Sequence, residues 1–408
     1  MEKIIFLVDM QSFFVSVEQQ LHGYSPSTPL VVSGDPSRPS GVILAACPLA
    51  KRAGVKNGER LREARMKCPH LTVTPPHMED YLNYSIQITR FLETFTELVE
   101  PYSIDEQFMD VTGSMHLFGD VWETAQKVQE LIDKELGIRA RLGIGTNKVL
   151  AKMACDLFAK KNANGVDALT LNQLSDKLWP LPIEDLFRCG RKMSIHLRAR
   201  GIQTIGDFAA MDAEAVRKEW GVHGQVLWMN ARGVDYSPVS TETLEGRKAI
   251  GSGMTLPFDY IHKQDLHTVL LELCEEICRR ARKLHLAGKT ISVAFSGKNG
   301  SFHRSSTRDE ATSITMEVFE TAAGIVQNQW KHHPVRRVHV SLSSLTPDDT
   351  LQLSLLEDVN EKSSRHQIGY TMDKLKEKYG ATAVIRASSL LKSGQAEERA
   401  SRIGGHYK

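Results

Sequence analysis

Two rhythms of apolar and polar positions divide the chain. From residue 4 to about 165, short apolar runs alternate with stretches whose apolar residues recur every three or four positions, the periods of buried strand and amphipathic helix. Residues 4–8 (Ile-Ile-Phe-Leu-Val) form an unbroken apolar run, which predicts a buried strand closed by Asp9. Ser12 is placed to cap a following helix that carries Phe13, Phe14 and Val17. Strand-like runs at 29–33 and 41–46 flank the turn-rich segment 34–40. Ile88, Phe91, Leu92, Phe95, Leu98 and Val99 fall at helical spacing, which predicts one helix over 80–100 stopped by Pro101. There follow a strand at 107–111, a helix ending near Gly137, a strand with alternating Ile138, Ala140, Leu142 and Ile144, and a helix from about Lys148. Together they fit a ferredoxin-like α+β layer.

Beyond residue 165 the pattern changes. Residues 171–240 read as short helices. Within them Arg200-Gly201-Ile202-Gln203-Thr204-Ile205-Gly206-Asp207-Phe208 has the form of a helix, a Gly-centred turn and a second helix. Such helix-hairpin-helix turns aim backbone N–H groups at a phosphate without reading bases. Gly201, Ile202, Thr204 and Gly206 are therefore candidate DNA contacts, with a plain packing turn as the competing reading. A second turn falls at 220–225. Residues 241–249 are polar and read as a linker. Residues 250–346 then run strand, long helix, two strands, helix, strand, a second small α+β domain. The chain has no internal repeat.

With 408 residues, 41% hydrophobic and 25% charged, the chain has room for two to four globular domains. No apolar stretch approaches the ~20 residues of a membrane span, and the N-terminus lacks a signal-peptide pattern. Cysteines 47, 68, 155, 189, 274 and 278 form no CxxC pair. Reduced, packed thiols and a cytoplasmic location are expected. The net charge of +2 conceals a gradient: residues 246–345 hold fourteen Lys and Arg against nine Asp and Glu, with seven histidines. That balance suits a phosphate backbone; ordinary fluctuation on a solvated surface is the alternative.

The candidate chemistry lies in the acidic positions. Asp9 and the pair Asp105-Glu106 each sit at the tip of an expected strand. Three carboxylates on adjacent strand ends can hold two divalent cations for in-line phosphoryl displacement. A lone aspartate after a strand is more often a turn or cap residue, so the weight rests on the neighbouring motifs. These are FLVDMQSFFVSVEQ at 6–19, VILAACPLAKRAGVKNG at 42–58, YSIDEQFMDVTG at 102–113 and LGIGTNKVLAKMACDLFAKKNANG at 142–165.

In this order and spacing the four motifs closely resemble the Y-family translesion DNA polymerases, nearest their bacterial UmuC-like branch, over about residues 3–360. The resemblance implies an α+β, multidomain right-hand polymerase. Its palm (1–20 and 79–170) would be ferredoxin-like, its fingers (21–78) small, and its thumb (171–240) helical with a helix-hairpin-helix. A linker (241–249), an α+β little finger (250–346) and a C-terminal tail (347–408) would follow. Asp9, Asp105 and Glu106 would be the catalytic carboxylates, binding two Mg2+ ions together with the carbonyl of Met10. Lys51 and Lys160 would contact the triphosphate, with Arg52 nearby; Lys51 and Arg52 fall at an expected helix start. Phe13 and Phe14 would lie at the nucleotide, Phe14 under the sugar against a 2′-hydroxyl and Phe13 equally suited to the core. Gln11 stands where many members have Asp or Asn, and Pro48 where many have Tyr.

Lys298, Arg304, Arg308, Arg336 and Arg337 would reach DNA phosphates from the little finger. Gln352, Leu353, Leu355 and Leu356 look like the pentapeptide that docks bacterial polymerases on the sliding clamp. The implied partners are primer-template DNA, deoxynucleoside triphosphates, the clamp and accessory damage-response subunits, with no membrane. The implied activity is error-prone synthesis past damaged bases, induced by DNA damage. A catalytically silent adaptor of the same family, a palm-fold cyclase and a helix-hairpin-helix DNA-binding protein are the alternatives.

Overall fold

The structure is a computed structural model and describes residues 2–34, 41–242, 246–331, 333–348, 359–403 and 406–407. Contacts divide the chain into two units, residues 1–244 with 407–408, and residues 245–406.

The first unit is built on a five-stranded sheet. Strands β1 (Ile5–Met10), β5 (Val99–Pro101), β6 (Glu106–Asp110), β7 (Ala140–Gly145) and β8 (Val166–Leu169) are ordered β5-β6-β1-β7-β8. All of β1 is buried, as its unbroken apolar run requires, because β6 and β7 flank it and helices cover the layer. A smaller sheet, β3-β2-β4, comprises β2 (Leu30–Ser33), β3 (Ile43–Ala46) and β4 (Thr72–Thr74). The helices are α1 (Phe13–His22), α2 (Pro48–Arg52), α3 (Leu61–Lys67), α4 (Met78–Leu92), α5 (Val121–Leu136), α6 (Lys148–Met153), α7 (Arg191–Arg198), α8 (Ile205–Ala209) and α9 (Ala213–Ala231). Gly137 ends α5 in the left-handed conformation, φ 66°, as expected of a C-terminal glycine. Gly221, φ 62°, breaks α9 within the second expected turn.

Three local expectations are corrected. Ser12 precedes α1 but does not cap it: its backbone is left-handed (φ 51°) and its side chain makes no capping bond. The helix expected over 80–100 ends at Leu92. There the Thr94 hydroxyl donates to the Phe91 carbonyl at 2.6 Å and Thr96 to Asp110 at 2.7 Å, which draws the chain into β5. Helical spacing persisted because Phe95 and Val99 still face the core, one from a turn and one from a strand. Lys51 and Arg52 occupy the last turn of α2, not its start.

The second unit is an antiparallel sheet ordered β11-β10-β12-β9, from β9 (Ala249–Tyr260), β10 (Leu286–Gly297), β11 (Gly300–Thr312) and β12 (Val335–Pro347). Helices α10 (Lys263–Lys283) and α11 (Thr315–Gln329) bury one face. Residues 359–403, expected to trail beyond this domain, pack on it instead. Helix α12 (Val359–Tyr379) pairs Asp373 with Arg282 of α10 at 2.7 Å. Glu275 of α10 takes Lys376 and Arg386, and Tyr260 donates to the Ser393 carbonyl at 2.9 Å. Polar side chains on α10 had no visible partner in the sequence because that partner lies about ninety residues downstream. No helix of the described residues is long and apolar enough to cross a membrane.

Candidate active site

Strand register brings the acidic groups together. Asp9 of β1 lies directly opposite Glu106 of β6 and, on its other side, Arg141 of β7. The Met10 amide donates to the Asp105 carbonyl at 3.0 Å, which holds the turn before β6 against the end of β1. In that turn the Ser103 hydroxyl donates to the Asp105 carboxylate at 2.7 Å and accepts from the Glu106 amide at 3.1 Å. Asp9 is 6% exposed. Asp105 and Glu106 are half-buried.

The fourth motif supplies the cations. A Cβ on Gly143 would lie 2.0 Å from the Ala151 carbonyl oxygen, and one on Gly145 would lie 2.5 Å from the Ala151 amide. Only glycine lets α6 sit this close to β7. Helix α6 then widens into a π-helical stretch over Ala154–Ala159, a distortion common at functional sites. Lys152 reaches Glu106 at 2.7 Å and Asp156 at 2.9 Å; Lys160 reaches Asp9 at 2.7 Å and Asp156 at 2.6 Å. Burial pushes the Asp9 carboxyl up to about 7, helped by its hydrogen bond to Glu106 and opposed by Lys160. Asp156 is held below the usual range by the two lysines, which outweigh its burial. Lys152 and Asp156 were not foreseen as site residues; their four-residue spacing ahead of Lys160 was the available signal.

The donor set fits a hard cation. Asp9, Glu106 and the Met10 carbonyl offer oxygens, and the two ammonium groups already stand where positive charge is wanted. Cys155 and Asp156 also lie within ligating distance of Asp9, but the Cys155 thiol is pushed well up by burial, which keeps it a poor ligand.

Around this centre the nucleotide candidates separate. Phe13 is a core residue, 2% exposed, the placement its competing reading expected. Phe14 is half-buried and stacks on Tyr81, centroids 4.3 Å apart. Lys51 donates to the Ser12 hydroxyl at 3.1 Å, so it stands beside the turn between Asp9 and Phe14. Arg52 is exposed. Pro48 is the first residue of α2, whose cap is the Cys47 sulfur. Gln11 accepts from Arg141 at 3.4 Å and is tied to β7.

The hairpin turn differs from expectation. The amides of Gly201 and Ile202 donate to Arg198 and Leu197, Thr204 to the Asp207 carboxylate, and Gly206 to Trp179. All four donors are used internally, so this turn is a packing unit. The preceding turn is built differently: Arg188 is left-handed (φ 70°), and no side chain among the described residues caps α7 at Gly190. The first N–H groups of a helix have no partner within it, and Arg188, Arg191 and Lys192 are exposed around them. A bulky residue at positive φ leaves no sequence signal, so this turn was missed.

In the second unit, register sorts the basic residues by face. Arg337 pairs opposite Ser296 and Thr255, on the sheet face away from α10 and α11. That face carries Ser292, Ala294, Ser296, Ser301, His303, Ser305, His339 and Ser341 and includes an open cleft of about 510 Å³ between β11 and β12. Arg308 instead points to α11, where it bonds Glu317 at 3.1 Å. Arg304 sits opposite core residue Val293 on the edge strand, Arg336 is 3.6 Å from Asp259, and Lys298 is exposed in the β10–β11 turn. Gln352, Leu353, Leu355 and Leu356 lie outside the described residues.

Comparison with known proteins gives consistent matches. The impB/mucB/samB family model matches residues 8–156, and the model of that family's C-terminal domain matches 247–355. A DNA polymerase IV 2 of Halalkalibacterium halodurans is 54% identical, with 100% of each chain covered. A DNA polymerase IV 2 of Bacillus subtilis is 51% identical over 100% of this chain and 99% of its own. The solved structure of a Y-family DNA polymerase chimera shares the fold, with a TM-score of 0.72, 23% identity, and coverage of 84% of this chain and 99% of that one.

Proposed function

We propose that this chain, which belongs to the impB/mucB/samB family of Y-family translesion DNA polymerases, is a template-directed, error-prone DNA polymerase working by two-metal-ion nucleotidyl transfer. The observation that carries this reading is the pairing of buried Asp9 with Glu106 on adjacent strands, each carboxylate held by its own lysine. Asp9, Asp105, Glu106 and the Met10 carbonyl would hold the ions, for which Mg2+ suits the oxygen donors. Bound there, the pair would lower the pKa of the primer hydroxyl and neutralise the triphosphate. Lys160, with Lys51 across from it, would pass from carboxylate to phosphate as the nucleotide enters. Phe14, backed by Tyr81, would meet the sugar. The described residues between 21 and 78 offer only short strands and helices to close over a nascent pair, which favours tolerance of distorted templates over induced-fit selection.

For DNA, we assign the Arg188–Lys192 turn and the open face around Arg337 to the phosphate backbone. The domain limits stated above are kept as part of this reading, with the little finger extended to take in 359–403. Gln352–Leu356 would dock the sliding clamp, and accessory subunits would assist in a cytoplasmic setting that six buried, unpaired thiols suit. Primer extension with Mg2+ and deoxynucleotides opposite undamaged and damaged bases tests the activity. Extension past a lesion is expected; duplex binding without extension would identify a silent adaptor instead. Clamp stimulation lost on replacing Gln352, Leu355 and Leu356 tests the docking segment.

A further inference from the structure

Away from the catalytic carboxylates, the described residues hold a second cluster of ligating side chains. Glu18, His22 and His77 bring a carboxylate oxygen and two imidazole nitrogens within 4.8 Å of one another. Glu18 and His22 are four apart on α1 and so share a face. His77 immediately precedes α4. The Glu18 side chain is 1% exposed. Its partners are the Tyr81 hydroxyl, Thr74 Oγ1 at 3.4 Å, His77 Nδ1 at 2.9 Å and His22 Nε2 at 3.6 Å. None of these is a permanent cation, and a buried carboxylate without one is costly.

We propose that Glu18, His22 and His77 form a binding site for a borderline divalent transition ion of the zinc class. Two imidazoles and one carboxylate are a set that zinc takes, whereas Mg2+ and Ca2+ call for oxygens. Ligand bonds of about 2.0–2.1 Å in a tetrahedron place donors roughly 3.3 Å apart; His77 Nδ1 lies 2.9 Å from one Glu18 oxygen and His22 Nε2 3.6 Å from the other, so either oxygen is near enough to share an ion with an imidazole. The rings of His22 and His77 lie with centroids 4.8 Å apart, tilted by 42°. They are 41% and 34% exposed, which gives an ion an entry path and leaves a position for water. Tyr81 orients the carboxylate from behind, the usual outer-shell role, and burial raises its pKa and keeps it a donor. The same Tyr81 ring backs Phe14, so an ion here would pin α1 to the start of α4 beneath that residue.

The test is zinc binding by the full chain at about pH 7.5, because metal competes with protons for its ligands, with excess magnesium to occupy the catalytic carboxylates. The expected result is one retained equivalent of zinc and a higher melting temperature with zinc. Affinity should fall at least about tenfold in His22→Ala and in His77→Ala, and stay unchanged in His116→Ala, an exposed histidine elsewhere. Cobalt(II) in the same chain should give a low-coordination visible band that both site variants lose. Failure to retain zinc, or wild-type affinity in either His22→Ala or His77→Ala, overturns the site. Both substitutions are at partly exposed positions, so a cooperative melt without metal confirms that each variant is folded.

Discussion

The acidic centre of the first unit and the open sheet face of the second are both suited to phosphate chemistry, yet they are built on opposite principles. At the centre, Asp9 and Lys152 are each 6% exposed, and Asp9, Glu106, Asp156, Lys152 and Lys160 each have an opposite charge within 3 Å. Charges taken out of water this far are tolerated only as a matched set, so removing one disturbs all the others. On the sheet face, hydroxyls and imidazoles surround the single Arg337 with no carboxylate in register. Such a surface acts additively, through the number of phosphates it neutralises. Substitutions in the two places should therefore differ in size and in kind.

The largest effect belongs to the centre. Asp105→Ala and Glu106→Ala should each lower nucleotide incorporation by about 10²–10³-fold or more, the scale of losing one preorganised electrostatic group, while duplex affinity is kept. Single-turnover extension beside a DNA-binding titration measures both; incorporation above a few per cent of wild type in both variants would remove these residues from the ion site. Next is Phe14→Ala, which opens the space above Tyr81. The ratio of ribonucleotide to deoxynucleotide use should rise by more than roughly 200-fold, beyond the ~1–3 kcal/mol that one lost methylene contact commands. Unchanged sugar selectivity would reduce Phe14 to packing.

A smaller effect follows from Asp9. Its carboxyl titrates near 3.8 in a free chain and at about 7 in the folded, ion-free protein. The folded state thus holds the proton more tightly, adding stability that is full below pH 4 and lost as pH rises through about 7. The melting temperature of the ion-free protein should fall across that window, and Asp9→Asn should flatten the fall. Because ions compete with this proton, magnesium affinity should weaken about tenfold per pH unit below 7. Calorimetric scans with and without magnesium at pH 5, 6, 7 and 8 check both statements; a melting temperature independent of pH would mean that Asp9 is ionised throughout.

The same contrast explains what could be read without coordinates. The acidic positions were legible because they follow short-range sequence rules: an apolar strand leads into Asp9, and a tight turn holds Asp105 and Glu106. The close seat of α6 on β7 that Gly143 and Gly145 permit emerged only from the structure. The helix over 80–100 was misread because burial, which spacing reports, does not distinguish a turn and strand from a continued helix when Phe95 and Val99 both face inward. Arg308 was grouped with the other basic residues because a charge count ignores side-chain parity, and parity in β11 depends on a register shift between Gly288 and Thr290. The packing of 359–403 on α10 rests on pairs such as Arg282–Asp373, 91 residues apart, which no local pattern encodes.

The smallest expected effect separates two arginines of one sheet, on strands either side of β10. Arg337 lies on the open face, its Nε 3.2 Å from the Thr255 hydroxyl; Arg308 lies on the other face, bonded to Glu317 and Thr321. If the open face meets phosphates, Arg337→Ala removes one neutralised charge and should shallow the slope of log affinity against log salt by about 0.9, with little change in melting temperature. Arg308→Ala should leave that slope alone. It strips the partner from Glu317, itself 7% exposed, so its cost should appear as lost stability, on the order of 1–3 kcal/mol for a buried polar group left unsatisfied. Measuring both variants by salt titration and by denaturation decides the face that DNA uses. A slope change at Arg308 with none at Arg337 would place the DNA contact elsewhere than on the open face.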